Sequence, residues 1–291
     1  MMWGAILGLG LIRKVLFVYW TLAASFATAG LLDVPILATL RSFVICFASR
    51  GKTWEKNLER KGGLLGLSVP QSYFSHFYLV GVIWGAFVLY SAIVTRLGSW
   101  TAVVNLSFFS LHVFRRYLET VLLMSYPQDA RMHVMAYVFG LSYYIAVPLS
   151  MLPESPPASG DPSNSASEVL SFPWISVGLG IFVLAAGFLV QYLSHRQLAS
   201  LRKRIRAQQT KSYYAIPAGF LFEYVSCPHY FAEILIYTGF LMVGQCELLL
   251  CLLLWWVVAN LLFAGRQTHQ WYLNRFEEYP TTRKAIIPFL I

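Results

Sequence analysis

Titratable side chains recur at helical spacing within segments that are otherwise apolar. Four of them, spaced i, i+3, i+4 and i+7, would share one face of a helix: His112, Arg115, Arg116 and Glu119. Ionisable groups inside membrane helices are energetically costly and mark functional sites by default. The structural alternative is a stripe that extends toward lipid headgroups and carries its own Arg–Glu pair. The spacing leaves both interpretations open.

Three more polar groups lie in the C-terminal half of the chain. Each has a spacing that places its members on one side of a helix: Gln191, His195 and Arg202; His229 and Glu233; and Arg266, His269 and Tyr272. Ser226 can cap the helix that carries Glu233, and Pro228 suits its first turn. The Glu233 carboxylate, one turn into an otherwise apolar span, needs a partner, because a buried unpaired charge costs several kcal/mol. The structural alternatives to a functional site are solvated helix ends for the first and third groups and a plain structural pair for His229 and Glu233.

All four groups reach the same predicted end of the molecule, where basic residues are concentrated. A pocket between helices would have a cationic rim and two tyrosines in its walls: Arg202, Lys203, Arg204, Arg206 and Arg266, with Tyr214 and Tyr272. Such a rim suits a ligand that bears phosphate, because arginine binds phosphate in a bidentate manner. No G-x-G-x-x-G motif follows a strand, which excludes a Rossmann domain. Any nucleotide must therefore bind between membrane helices.

The elements that carry these groups are predicted to be membrane helices. The chain of 291 residues is 57% hydrophobic and only 12% charged, whereas a soluble domain has about 25% charged residues. We predict an all-α polytopic membrane helix bundle of about seven spans, each with the roughly 20 apolar residues that a bilayer requires: 4–30, 75–95, 98–122, 131–152, 171–195, 228–244 and 247–266. The first span is expected to be retained, because Arg13 and Lys14 follow its apolar run instead of preceding it as in a signal peptide.

The loops alternate in charge. Segments 33–71 and 196–214 and the C-terminus are basic, whereas the Pro/Ser-rich stretch 153–170 has three acids and no base. Because cytosolic loops carry the excess of Lys and Arg, we expect a luminal N-terminus, a luminal linker at 153–170 and a cytosolic C-terminus. The net charge of +9 is thereby explained without a nucleic-acid partner. The four cysteines form no metal-binding or disulfide pattern, so no metal is expected.

Four C-terminal segments resemble the steroid 5α-reductase family: residues 221–226 (LFEYVS), 228–233 (PHYFAE), 276–280 (FEEYP) and 283–289 (RKAIIPF). The resemblance is dense over about residues 190–291. Three further segments are similar to the polyprenal (polyprenol) reductase branch of that family: 73–78 (YFSHFY), 115–119 (RRYLE) and 268–272 (THQWY). The combination of these segments is more specific than any one of them.

The resemblance implies a seven-helix protein of the endoplasmic reticulum membrane that binds NADPH between its C-terminal helices. It implies that residues 1–152 form the substrate side and that residues 171–291 form the NADPH-binding side. Within the branch, the reaction reduces the α-isoprene double bond of polyprenal or polyprenol, which supplies dolichol for protein N-glycosylation. The family's nucleotide contacts fall on seven positions: Gln191, His195, Arg202, Tyr214, His229, Glu233 and Tyr272. The cationic rim adds Lys203, Arg266 and His269 as candidates.

Hydride chemistry favours an α,β-unsaturated aldehyde over an isolated alkene, because charge then develops on oxygen, where a donor can stabilise it. The steroid enzymes' carbonyl-binding tyrosine aligns with Val113, so the donor must be sought elsewhere. Position near the predicted cytosolic end selects four candidates: His76, His112, Tyr73 and Tyr117. The long isoprenoid tail is expected to extend into the bilayer through a lateral opening.

The sequence is weighed against four other classes. A 3-oxo-Δ4-steroid 5α-reductase would use the same cofactor. An isoprenylcysteine-type membrane methyltransferase is suggested by Pro228-His-Tyr followed by Glu233, although no arginine precedes the histidine. A transporter would carry its polar residues near mid-membrane and often shows repeat symmetry, and the chain has no recognisable repeat. A structural adaptor leaves Glu233 and Arg266 unexplained.

Overall fold

The computed structural model describes residues 2–54, 66–96, 98–153, 174–208 and 214–290. The predicted linker at 153–170 lies, apart from its first residue, outside these ranges, and so does Lys211. The described α-helices, in chain order, are α1 (Met2–Leu31), α2 (Ala38–Ala48), α3 (Phe74–Val94), α4 (Trp100–Leu118), α5 (Val134–Ser150), α6 (Trp174–Ala207), α7 (Pro228–Val243) and α8 (Leu248–Arg275). The predicted all-α architecture is confirmed.

Four of the described helical segments are long and apolar enough to cross a membrane: Gly10–Leu31, Gln71–Val94, Trp174–Ala207 and Leu248–Arg275. The chain is thus a polytopic helical membrane protein. Each of the seven predicted spans coincides with a helix, but α5 and α7 have only 17 and 16 residues. The count of seven therefore stays a prediction.

The segment 33–71, interpreted from its charges as a loop, is partly structured. It contains α2, a 3-10 turn at Gly51–Thr53, and a strand β1 (Ser68–Pro70) that pairs antiparallel with β2 (Arg131–His133). Helix α2 rests on α1, with the rings of Phe47 and Phe26 6.3 Å apart. Helix α2 was not predicted, because its apolar run is too short to span a bilayer and is surrounded by basic residues.

A partly buried ion pair explains the basic residue inside the first apolar helix. Arg13 of α1 pairs with Glu247, which precedes α8, and also donates to the carbonyl oxygen of Leu152 at 2.7 Å. Nearby, Trp20 is fully buried and donates to Ser150 of α5 at 2.9 Å. These contacts join α1 to α5 and α8 and so bring the N-terminal helices against the C-terminal ones.

Two of the four C-terminal segments that carry the family resemblance are joined by backbone hydrogen bonds: the end of 221–226 and the start of 283–289. The backbone N–H of Ser226 donates to Lys284 at 2.8 Å, and that of Cys227 donates to Ala285 at 3.0 Å. The Ser226 hydroxyl also contacts His269 Nδ1 at 2.7 Å and Tyr279 Oη at 2.6 Å. The chain after α8 therefore folds back and fixes the loop from which α7 begins.

Glycines allow α6 and α7 to approach closely. A Cβ atom at Gly239 of α7 would lie 2.6 Å from Leu184 Cγ and 2.8 Å from the carbonyl oxygen of Gly180 in α6. A Cβ at Gly187 would lie 2.7 Å from Ile236 Cγ1. Small residues at such crossings let helix backbones pack closely within a bilayer. This crossing sets the distance between the polar residues of α6 and those of α7.

We expect Gly239→Ala to destabilise the protein, because the added methyl group meets a backbone oxygen that cannot rotate away. Overpacking of this kind costs about 1–3 kcal/mol. The measurement is the apparent melting temperature of the purified protein in detergent, which should fall.

Gly178→Ala is the matched control, since Gly178 lies on α6 with nothing within 4 Å of its added Cβ. Alanine favours helix by about 1 kcal/mol over glycine, so this variant should melt at the wild-type temperature or slightly above it. Equal melting of the two variants would contradict close packing at the α6–α7 crossing.

Candidate active site between the helices

A cavity of about 650 Å³ opens between the helices, and each of α1 to α8 contributes lining residues. Its volume lies in the range of small-molecule and cofactor sites, about 300–1,000 Å³. Residues of both halves of the chain line it. The functional groups therefore come together only in the folded bundle.

A buried carboxylate organises one wall of the cavity. Glu119, 3% exposed, stands at the start of a π-helical turn that follows α4. Its Oε1 accepts from Arg115 and its Oε2 from Arg116, both at 2.6 Å. His195 of α6 lies against the same carboxylate, with Nδ1 2.7 Å from Glu119 Oε2. The Arg–Glu pairs expected from spacing exist, their carboxylate is buried, and His195 connects it to α6.

A second carboxylate, the partly buried Glu233, continues this network into α7. Arg115 donates to the side-chain oxygen of Gln191, and the amide of Gln191 donates to Glu233. His112, 1% exposed, places Nε2 3.4 Å from Glu233 Oε1. The partner that Glu233 requires is thus a set of groups on α4 and α6. Two guanidinium groups balance two carboxylates across the network.

Arg116 also reaches across to α3. Its Nη2 donates to the hydroxyl oxygen of Tyr78 at 2.8 Å, and its guanidinium carbon lies 4.9 Å from the centre of the Tyr78 ring. The Tyr78 ring also meets the Tyr144 ring edge-on at 5.5 Å. Arg116, Tyr78 and Tyr144 all line the cavity.

Three cations line another part of the cavity: Arg50, Lys52 and Arg202. The Lys52 ammonium lies 3.9 Å from the centre of the Tyr272 ring and 4.9 Å from that of Trp271, distances at which a cation is attracted to an aromatic face. Burial lowers the pKa of Lys52 to about 8, and repulsion from Arg202 acts in the same direction. An anion bound here would hold the proton on Lys52.

Aromatic and small residues form the apolar part of the lining. The ring of Tyr143 packs 4.7 Å from that of Trp256, and Phe139 packs 5.4 Å from Trp256. Gly140 lies directly against Phe77, where an added Cβ would come within 2.7 Å of the ring. Helices α1, α2 and α8 add further apolar side chains: Ala23, Phe26, Ala27, Val44, Phe47 and Ala264.

Seven of the predicted cofactor-binding residues line this cavity, and all seven are the positions carried over from the family: Gln191, His195, Arg202, Tyr214, His229, Glu233 and Tyr272. Lys203 and Arg266, chosen from charge, are exposed and do not line it. His269 lies behind the wall, where it contacts Ser226. The polar residues lie on the helices that their spacing predicted. Positive charge by itself did not predict which side chains face the cavity.

The four candidate proton donors lie away from the cavity lining. His112 is behind Glu233. His76 contacts the Tyr137 hydroxyl at 3.0 Å, and the Tyr73 ring packs against His76 at 4.5 Å. Tyr117 is partly exposed on α4. Their catalytic roles stay predictions.

Several lining residues were not anticipated from the sequence: Arg50, Lys52, Gln71, Tyr78, Arg116, Tyr143 and Tyr144. Arg116 appeared in the stripe on α4, and Tyr78 closed the YFSHFY segment. Arg50 and Lys52 were counted as part of a basic loop. The available signal was an Arg-Gly-Lys-Thr sequence next to α2, but only the tertiary fold brings it against α8.

The lining fits a dinucleotide that bears phosphate groups. Three cations are available for phosphate, and Tyr214 and Tyr272 line the same cavity. Among the described residues, Nδ1 of His229 is buried without a hydrogen-bond partner, although buried polar atoms are normally paired. The wall near His229 therefore has an unused polar atom that a bound ligand can satisfy.

The family model for 3-oxo-5-alpha-steroid 4-dehydrogenase matches residues 164–291. Among individual proteins, polyprenal reductase 1 of Arabidopsis thaliana is 33% identical, over 93% of this chain and 98% of its own length. The polyprenal reductase of Danio rerio is 34% identical, over 84% and 86%. That of Xenopus laevis is 31% identical, over 82% and 83%.

The fold and these relatives thus define a multi-pass membrane oxidoreductase. This chain belongs to the steroid 5α-reductase family, in the branch of the polyprenal reductases. Membership in a family of reductases implies a nicotinamide cofactor.

The lowered pKa of Lys52 gives a pH dependence with a defined sign. Lys52 is charged below about pH 8, and a bound phosphate group raises its pKa above that value. Affinity for the oxidised nicotinamide dinucleotide should therefore be full below pH 8 and fall above it, by up to about tenfold per pH unit, until the pKa of the bound state is reached. Isothermal titration calorimetry at several pH values from about 7 to about 10 measures this.

Lys52→Arg is the control, because the guanidinium group stays charged throughout this range. Its affinity should vary little with pH. The same decline in both proteins would exclude Lys52 as the titrating group.

Proposed function

We propose that this protein catalyses the NADPH-dependent reduction of the α-isoprene double bond of polyprenal, toward dolichal and dolichol. The carrying observation is a single cavity with cationic, hydrogen-bonding and apolar lining. Relatives named polyprenal reductase, similar over most of the chain, support the same reaction. Dolichol produced in this way serves protein N-glycosylation.

The proposed reaction requires a carbonyl group next to the double bond. A bound nicotinamide cofactor supplies a hydride and leaves the protein to orient the substrate and stabilise charge. When hydride adds at the β-carbon of an enal, negative charge develops on the carbonyl oxygen, where a protein donor can stabilise it. A polyprenol offers no such oxygen. We therefore propose the aldehyde as the substrate.

We assign the phosphate groups of the cofactor to Arg50, Lys52 and Arg202. Three cations in one part of the lining favour NADPH, whose 2′-phosphate adds charge that NADH lacks. Gln191 and Glu233, whose side chains are already held by Arg115 and His112, are suited to hold the nicotinamide end by hydrogen bonds.

The apolar lining between α1, α2, α5 and α8 is assigned to the first isoprene units of the substrate. Burial of hydrocarbon there stabilises the complex by roughly 25 cal/mol per Å² of apolar surface. The cavity can enclose only the head of a long polyprenyl chain, so the rest of the tail extends into the bilayer.

We further propose an endoplasmic reticulum location, with the N-terminus in the lumen and the C-terminus in the cytosol. The basic residues at the end of α6 support this orientation, because Lys and Arg accumulate on the cytosolic side. NADPH would then reach the cavity from the cytosol.

The test uses the purified protein in detergent with a short polyprenal and NADPH carrying deuterium at the transferable position. Consumption of NADPH should accompany formation of the saturated aldehyde with deuterium at the β-carbon, measured by mass spectrometry and NMR. A lack of turnover with polyprenal, together with reduction of a 3-oxo-Δ4-steroid, would favour the steroid reductase. A lack of NADPH binding would favour the isoprenylcysteine-type methyltransferase.

Two pairs of variants test the assigned lining. Glu233→Gln should lower kcat/KM by about 10- to 100-fold, because hydrogen bonds to a charged group contribute about 1.5–3 kcal/mol; exposed Glu277→Gln should not. Arg202→Gln should raise KM for NADPH, whereas Arg204→Gln, exposed on the same helix, should leave it unchanged. Equal effects within either pair would contradict the assignment.

A further inference from the structure

The carbonyl oxygen of the substrate needs a hydrogen-bond donor that faces the cavity. Four tyrosines near the network of α4, α6 and α7 are relevant: Tyr78, Tyr143, Tyr144 and Tyr237. Tyr78, Tyr143 and Tyr144 line the cavity. Their hydroxyl groups have different hydrogen-bond partners within the protein, and these partners decide which hydroxyl can donate to a substrate.

The Tyr143 hydroxyl is engaged within the protein. It donates its proton to Tyr237 Oη, and both residues are buried at 7% and 2% exposure. A proton held in this way is unavailable to a carbonyl oxygen. Tyr144 stacks on Phe77 with the rings 6.4 Å apart, and among the described residues its hydroxyl accepts no hydrogen bond from a cation.

Tyr78 differs because its hydroxyl oxygen accepts a hydrogen bond, while its hydroxyl proton is donated to no other residue of the described chain. The hydroxyl oxygen accepts from Arg116 Nη2 at 2.8 Å. Within the described part of the chain, that oxygen has no further hydrogen-bond partner, so its own proton is available to a ligand in the cavity that Tyr78 lines. A cation that donates to a phenol oxygen also makes its O–H a stronger donor, as in other charge-assisted hydrogen bonds.

The position of Arg116 is fixed independently of any ligand. Its Nη1 donates to Glu119 at 2.6 Å and lies 2.7 Å from His195 Nδ1. The Tyr78 ring is held by two contacts: the guanidinium group of Arg116 lies over it, and the Tyr144 ring meets it edge-on. The donor is therefore oriented before the substrate arrives, which is the condition for effective stabilisation of developing charge.

We propose that Tyr78, oriented by Arg116, is the donor to the carbonyl oxygen of the enal. This assignment rests on the proposed function. Hydride addition at the β-carbon moves the electron pair of the Cα=Cβ bond into the enolate, whose oxygen accepts a hydrogen bond from Tyr78. A proton from water then forms the new Cα–H bond as the C=O bond is restored. Tyr78 itself is a catalytic residue, and Arg116 is its positioning residue.

Tyr78→Phe keeps the ring and removes only the donor. We expect kcat to fall by about 10²- to 10³-fold, the range found when one such donor is removed, with KM for the aldehyde little changed, because the lost interaction forms mainly in the transition state. Tyr90→Phe, on the same helix but 66% exposed, should retain the wild-type kcat.

A second measurement does not depend on turnover. A saturated C10 isoprenoid aldehyde labelled with ¹³C at the carbonyl should show a downfield carbonyl resonance when bound to the wild type and to Tyr90→Phe. The downfield shift should be lost in Tyr78→Phe. Replacement of Tyr78 by 3-fluorotyrosine, which keeps the hydroxyl donor, should retain kcat.

The outcomes separate the two proposals. No reduction of polyprenal by the wild type overturns the proposed function. Reduction by the wild type with full kcat and a full carbonyl shift in Tyr78→Phe overturns only the assignment of Tyr78. Loss of both signals in Tyr144→Phe, with both retained in Tyr78→Phe, identifies Tyr144 as the donor and also overturns that assignment.

Discussion

The buried carboxylate of Glu119 is the constraint on which the rest of the site depends. In an apolar bundle, a guanidinium or carboxylate group without a partner costs several kcal/mol, so each charge fixes the position of another. Glu119 holds Arg115 and Arg116, and these in turn hold Gln191 and Tyr78. The two guanidinium groups of Arg115 and Arg116 balance the two carboxylates of Glu119 and Glu233. Neutrality permits this network inside the bundle, and its geometry orients groups on α3, α4, α6 and α7.

The packing of the helices and the polar network support each other. The glycines at the α6–α7 crossing bring the two backbones close, which lets the side chain of Gln191 reach Glu233 directly. The return of the chain after α8 fixes the loop before α7 through Ser226 and Cys227, and so fixes His229 and Glu233 at the start of that helix. The network therefore has a rigid frame, as a site for hydride chemistry requires, because misplacement by about 1 Å can reduce rates about 100-fold.

Local periodicity predicted the helices and the faces of their polar residues, because a membrane helix is determined by its own sequence. Gln191, His195 and Glu233 were found in this way. Arg50 and Lys52 were not, because their contact with α8 depends on how a short segment after α2 folds over the end of the bundle. The partner of Arg13, Glu247, is also remote in sequence. Long-range pairings of this kind leave no periodic signal in a single chain.

The residue at position 113 agrees with the proposal that the donor lies on another helix. Val113 is fully buried, and its Cγ1 would lie 3.3 Å from a Cβ at Gly81, one turn after Tyr78 on α3. An apolar side chain there fills the α3–α4 contact and offers no hydroxyl. The neighbouring turn of α3 supplies one instead, next to Arg116. A phenol that approaches from α3 meets a carbonyl oxygen from a different direction than one carried by α4. The direction of the donor, as well as the shape of the apolar lining, can then distinguish a linear enal from a rigid ring ketone.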